Sequence, residues 1–209
     1  MNNKKILLLI TFITLIAFTI ISLTSGPIKI TIQELINILF KQFGVLKKTD
    51  DYLFTNIQES VLINIRFPRV VLAILVGAGL GTSGAILQGL FRNPLVDPGF
   101  IGVSSGAAVG AIISIMFGGI ISNFLPPFIV AFLLPILAIL GSFLTIMLVY
   151  SMSKVNGKTN VMAMLLSGVA VNAIAGSIIG FFVSISSDLE LRSFTFWTMG
   201  GLDNSDWFI

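Results

Sequence analysis

The sequence predicts an all-α, polytopic membrane protein, and three observations carry that prediction. Hydrophobic residues make up 56% of the 209-residue chain and charged ones 10%, against roughly 25% charged in soluble domains. Mean hydropathy is +1.04. The charges are also segregated: from Val70 to Ser153 only Arg92 and Asp97 are charged, and from Thr159 to Ser187 nothing is. A helix needs about 20 apolar residues to cross the hydrocarbon core, and a charge at its centre costs roughly 2.5 to 3.5 kcal/mol. Runs this long and this uncharged are spans and not a soluble core.

Apolar runs set against polar breaks give five spans, at about 6 to 24, 69 to 91, 100 to 117, 126 to 150 and 160 to 185. The first follows a basic start, as a secretory signal does, but its apolar part, Ile6 to Leu23, exceeds the usual signal core of about 7 to 15 residues. A retained helix is expected. Between the first two spans lies TIQELINILFKQFGVLKK, where Thr31 and Glu34 fit a capping box and Ile32, Leu35, Ile36, Leu39, Phe40 and Phe43 recur at helical spacing. This predicts a short amphipathic connector helix on the membrane face. The following KTDDYLFTNIQES reads as an irregular surface loop. In the fourth span Pro135 is expected to kink the helix and free a carbonyl.

The break RNPLVDPGFIGVSSGA holds Pro94 and Pro98 between two apolar runs. A residue preceding proline leaves the helical region, so a turn that reverses the chain is expected here. If the spans alternate, Lys4, Lys5, Arg92, Lys154 and Lys158 fall on one side, and the positive-inside rule makes that side the cytoplasm. The longer 26 to 68 loop runs against this, since it falls outside yet carries Lys29, Lys41, Lys47, Lys48 and Arg66.

Small residues recur every four positions on three spans: Gly77, Gly81, Ala85 and Gly89; Gly102, Gly106, Gly110, Ser114 and Gly118; Gly168, Asn172, Gly176 and Gly180. Close backbone approach through such faces holds helices together in lipid, and helix packing is the expected role. On the fifth span Asn172 adds a polar group that needs a partner or water, so lining a pathway competes with packing there.

Several function classes fall away. There is no cysteine or histidine, so disulfides, thiolate chemistry and imidazole metal ligation are excluded, and no resident metal or cofactor is expected. A net charge of +3 without a basic, aromatic-rich run does not point to nucleic acid. Gly79, Gly81 and Gly84 spell GxGxxG, but inside an apolar span and not between a strand and a helix. There is no P-loop, and no enzymatic role is expected. Secondary carriers commonly place ionisable groups within the membrane, and these spans hold none well inside. A solute would meet Ser, Thr, Asn and small apolar residues, and the driving energy is expected from a partner protein. A stand-alone carrier or channel is the competing reading, and a non-transporting fragment a third.

The run RFPRVVLAILVGAGLGTSGAILQGLFRNPLVDPGFIGVSSGAAVGA, residues 66 to 111, closely resembles the signature of FecCD-type permease subunits of ABC importers for iron-siderophores, haem and cobalamin. LLSGVAVN at 165 to 172 and SSDLELRSFTFWTMGGLDNSDW at 186 to 207 are similar to the same family. The resemblance implies a ten-helix permease that pairs with a second permease subunit, is driven by cytoplasmic ATP-binding subunits and is fed by an extracytoplasmic substrate-binding protein. The substrate implied is an iron-siderophore complex, with haem or cobalamin as alternatives. It also implies that Arg66 and Arg69 dock the binding protein, that Asn93, Pro94 and Leu95 form a cytoplasmic gate with a second gate segment at Asn160, Val161 and Met162, and that Asn172 and Ser184 line the pathway. Residues 1 to 209 are expected to form one incomplete permease domain, ending before the family's sixth helix and coupling segment.

Overall fold

The computed structural model describes residues 3–45, 53–155, 157–202, 205 and 207. Its helices are α1 (Asn3–Thr24), α2 (Ile32–Gln42), α3 (Asn56–Val61), α4 (Phe67–Phe91), α5 (Val103–Ile121), α6 (Pro127–Val130), α7 (Leu133–Met152), α8 (Val161–Ile185) and α9 (Asp188–Met199). Two short strands, β1 (Lys154–Val155) and β2 (Lys158–Thr159), pair antiparallel between α7 and α8. Among the described residues, five helical stretches are long and apolar enough to cross a membrane: Asn3–Thr24, Asn56–Phe91, Val103–Phe124, Leu133–Met152 and Val161–Ile185. The all-α polytopic class and its five spans hold.

The boundaries differ where local chemistry overrides hydropathy. The third span begins at Val103 and not at 100, because Pro98–Ile101 form a single 3-10 turn and Gly102, at φ +86°, breaks the chain direction before α5. The fourth begins at Leu133 and not at 126, since Pro126 and Pro127 open the separate turn α6. Pro135 is then the third residue of α7, in the first turn, where a missing N–H interrupts no intrahelical bond. The expected kink and freed carbonyl have no cause there. In KTDDYLFTNIQES, residues 48–52 lie outside the described residues, and the expected irregular loop is otherwise corrected. Thr55 and Gln58 form a capping box that starts α3, and α3 runs through a π-helical turn, Leu62–Arg66, into α4. A third capping box, Ser187 with Glu190, starts α9.

The chain divides into two compact units, residues 1–79 with 202–209 and residues 80–201, the division falling within α4. In the first, Leu23, Ile30, Leu35, Ile38, Phe54 and Leu62 form a core, with Leu39, Ile63, Phe67 and Val70 against it. The amphipathic helix expected from its spacing is present as α2. Leu35 and Ile38 are its buried residues, while Ile32, Ile36, Phe40 and Phe43 stay exposed. Polar contacts frame the core: Lys41 Nζ pairs with Glu59 Oε2 at 2.6 Å, and Gln58 Nε2 donates to Glu34 Oε1 at 3.0 Å and to the Lys29 carbonyl at 3.1 Å.

In the second unit α5 and α7 meet through glycine. A Cβ on Gly106 would overlap the Gly141 carbonyl and the Thr145 side chain, one on Gly110 the Leu137 carbonyl, and one on Gly141 the Gly106 carbonyl. Contact this close needs backbone against backbone, and hydroxyls complete it. Ser142 Oγ donates to the Val103 carbonyl at 2.9 Å, and Thr145 Oγ1 to the Gly102 carbonyl at 2.9 Å. Gly168 lies equally close to the Phe100 carbonyl. Gly77, Gly81, Gly176 and Gly180 differ: a Cβ on any of them would meet no atom within 4 Å among the described residues. The four-residue periodicity therefore mixes close-packed and open positions, on α8 within one stripe, and these four glycines make no close helix contact among the described residues.

Candidate functional site

The arginine pair sits at the start of α4. Arg66 closes the π-helical turn and is buried, 8% exposed. Its Nη1 donates to the Leu23 carbonyl at 2.7 Å and its Nη2 to the Ile28 carbonyl. Those acceptors belong to the end of α1 and the segment after it, and a side chain on Gly26 would strike the guanidinium. Arg66 is thus an internal tether, not the outward-facing docking cation implied by the resemblance. Arg69, half-buried, lies in the wall of a cleft of about 690 Å³ with Leu15, Phe18, Thr19 and Ser22 of α1 and Ala73 and Gly77 of α4.

The turn after α4 is built from side-chain caps. Arg92 takes a left-handed conformation, φ +49°, at the helix end. The Asn93 backbone N–H donates to the Gln88 carbonyl at 3.2 Å, and Asn93 Oδ1 accepts from the Leu95 N–H at 3.0 Å. Asn and Asp close such turns because a short side-chain oxygen replaces a backbone acceptor. Asp97 repeats the device, its Oδ1 accepting from the Gly99 N–H at 2.7 Å. Pro94 and Pro98 fix φ between these caps. Leu95 is left 83% exposed while Val96 turns inward, into a core with Phe91, Ile101, Val149, Met164 and Val171.

The second expected gate segment opens α8. Asn160 caps it, with Oδ1 accepting from the Ala163 N–H at 3.1 Å, and Val161 and Met162 are exposed. The turn faces α8 further along: Asn93, Leu95, Val96 and Phe100 enclose a pocket of about 310 Å³ with Leu165, Leu166 and Val169. Val161 and Met162 take no part in that lining.

Asn172 is half-buried, and both ends of its amide are bonded. Its Nδ2 donates to the Gly99 carbonyl at 2.9 Å and its Oδ1 accepts from Ser105 Oγ at 2.6 Å. With Gly168 and the buried Val171, it makes the face of α8 that holds the 98–102 turn. That is a positioning role, carried by both ends of the amide. Ser184 is exposed and donates to the Phe181 carbonyl of its own helix at 2.7 Å. Ser105, Gly141, Ser142 and Thr145 were not singled out from the sequence. Small hydroxyl residues and a glycine within apolar spans are the signal that points to them.

Among the described residues no cluster of three or more acidic side chains is placed to hold a metal. What the arrangement offers is a capped turn over a small apolar pocket, followed by α5, which carries no charged residue.

A family model described as the FecCD transport family matches residues 14–209. The hemin transport system permease protein of Yersinia pestis is 43% identical over 149 residues, 70% of this chain and 42% of that protein. The cobalamin import system permease protein of Halobacterium salinarum is 44% identical over 143 residues, 68% of this chain and 36% of that protein. A solved structure described as an inward-facing conformation of a metal-chelate type ABC transporter matches with a TM-score of 0.71 at 30% identity, over 98% of this chain and 56% of that one. The chain therefore covers well under two thirds of the length of each of these proteins. The two named relatives are transport permeases and not enzymes. Spans, capped turn and family match agree along the sequence, and the chain belongs to the FecCD transport family.

Proposed function

We propose that the chain is the permease part of an ABC importer that passes an iron-siderophore complex across the cell membrane. In this reading it pairs with a second permease subunit, is powered by cytoplasmic ATP-binding subunits and receives substrate from an extracytoplasmic binding protein. One observation carries it: the likeness to a metal-chelate type ABC transporter extends over 98% of the chain at 30% identity. The uncharged lengths of α5, α7 and α8 support a path for a bulky solute that is coupled to no ion within the membrane.

The amino terminus is cytoplasmic in this reading. Five crossings bring Lys4, Lys5, Arg92, Lys154 and Lys158 to one side, the side the positive-inside rule assigns to the cytoplasm. The Asn93–Leu95 turn then lies at the cytoplasmic mouth, with its partner surface on Leu165, Leu166 and Val169 and with Asn160 to Met162 flanking it. The start of α4 lies at the outer face. There Arg69 serves docking of the binding protein, and Arg66 serves it by holding the segment from Leu23 to Ile28. Ser184 lines the path.

Haem or cobalamin as substrate is the second reading, favoured by the identities of 43% and 44% to permeases for those compounds. Uptake into proteoliposomes holding the permease, its ATP-binding subunits and its binding protein separates the two. The first reading expects a labelled ferric siderophore to accumulate and excess haem or cobalamin to leave that uptake unchanged. Accumulation of haem or cobalamin alone overturns it. In the same vesicles Arg69→Glu is expected to weaken binding-protein docking and lower its salt dependence.

A further inference from the structure

The helix α2 carries more apolar surface than the protein covers. At about 100° per residue, Leu35, Ile38 and Leu39 share one arc, and Ile32, Ile36, Phe40 and Phe43 fall in an adjoining sector of about 80°. The first arc packs into the core with Leu23 and Leu62. The second is open: Ile32 is 60% exposed, Ile36 44%, Phe40 47% and Phe43 79%. Gln33, Glu34, Asn37 and Lys41 take up the remaining arc, and Glu34 and Lys41 bond to Gln58 and Glu59. The stripe is thus neither core nor polar surface.

Its depth is fixed by α1. A helix of 22 residues is about 33 Å long, close to the roughly 30 Å hydrocarbon thickness. Leu23, in the last turn of α1, therefore lies at the boundary between hydrocarbon and headgroups. α2 packs on Leu23, and Arg66 clamps the intervening segment at the Leu23 and Ile28 carbonyls. On α1 itself Phe18 and Ile21 are exposed as well. We infer that α2 is an interfacial anchor, with Ile32, Ile36, Phe40 and Phe43 inserted into the lipid leaflet at the carboxyl end of α1 and Gln33 and Asn37 facing water. The occupant of the stripe is the bilayer surface itself.

The absence of cysteine makes the test direct. The full chain is prepared as Ile36→Cys, Phe40→Cys, Phe43→Cys and Gln33→Cys, each with one spin label, in phosphatidylcholine vesicles. All four positions are exposed, and an unchanged helical circular dichroism spectrum confirms that each variant folds. Collision with oxygen relative to a soluble nickel chelate is expected to be roughly threefold or more higher at 36, 40 and 43 than at 33, as for a helix lying in the interface. Equal nickel-chelate collision at all four positions places the stripe in water and overturns the inference. Shielding of the stripe from both reagents means that protein covers it and overturns it equally.

Discussion

Asn172 joins Gly99 and Ser105: its amide donates to the carbonyl of the first at 2.9 Å and accepts from the hydroxyl of the second at 2.6 Å. One side chain in mid-span thereby fixes α8 to the 3-10 turn and to the first turn of α5. Asn172→Ala loses both bonds and is expected to destabilise the detergent-solubilised chain by about 1 to 2 kcal/mol. Thermal melting measures it. Ser105→Ala should cost less, and the double variant little more than Asn172→Ala alone, since both remove the same bond.

The glycine faces make a sharper contrast. Gly110→Ala places a methyl group against the Leu137 carbonyl, and overpacking of this kind typically costs about 1 to 3 kcal/mol. Gly176→Ala meets open space among the described residues and gains helix propensity of up to about 1 kcal/mol. Melting of the two variants should therefore move in opposite directions. A loss at Gly176 equal to that at Gly110 would show a neighbour on that face.

Span number, the α2 capping box and the packing glycines of α5 were legible because they rest on local rules: run length, S/T-x-x-E spacing and small residues at four-residue intervals. The capping boxes at Thr55 and Ser187 follow the same rule, T-N-I-Q and S-D-L-E, but they stand in polar segments that read as connectors. What the sequence could not show is where a polar side chain finds its partner. Arg66 and Asn172 lie 43 and 73 residues from acceptors they bind, and sequence spacing carries no signal for such pairs. A guanidinium that reads as a docking cation is thus found bound to backbone carbonyls.

The π-helical turn supplies another long-range pair. In it the Phe67 N–H donates to the Leu62 carbonyl. The next donor in that register would be residue 68, which is proline and has no N–H. Trp207 Nε1 donates to the Ile63 carbonyl at 2.7 Å, and its ring lies 5.7 Å from that of Phe67. Trp207→Phe keeps the ring and removes the donor, so a loss of about 0.5 to 1.5 kcal/mol is expected in thermal melting. Combining it with Pro68→Ala, which restores a backbone donor, should give less than the sum of the two single losses.

Acid should loosen α2. The Glu34 carboxyl is held below the usual carboxylate range, first by the Thr31 backbone N–H, then by the Thr31 hydroxyl and the Gln58 amide. A pKa lowered by folding gives stability that is complete above the ordinary value of about 4.3 and is lost as pH falls through the lowered one. Glu190 at the start of α9 has the same sign, through the Ser187 backbone N–H and hydroxyl. Melting temperature should fall as pH is lowered from 5 toward 3, and Glu34→Gln should flatten part of that fall.

The three spans Val103–Phe124, Leu133–Met152 and Val161–Ile185 contain no charged residue, so the proposed importer is expected to draw on a partner's ATP hydrolysis and not on an ion gradient. Uptake of a labelled ferric siderophore into proteoliposomes containing the permease, its ATP-binding subunits and its binding protein measures this directly. Uptake that requires ATP and is unchanged when proton and sodium gradients are collapsed is the predicted result. Uptake without ATP-binding subunits, driven by either gradient, would contradict it.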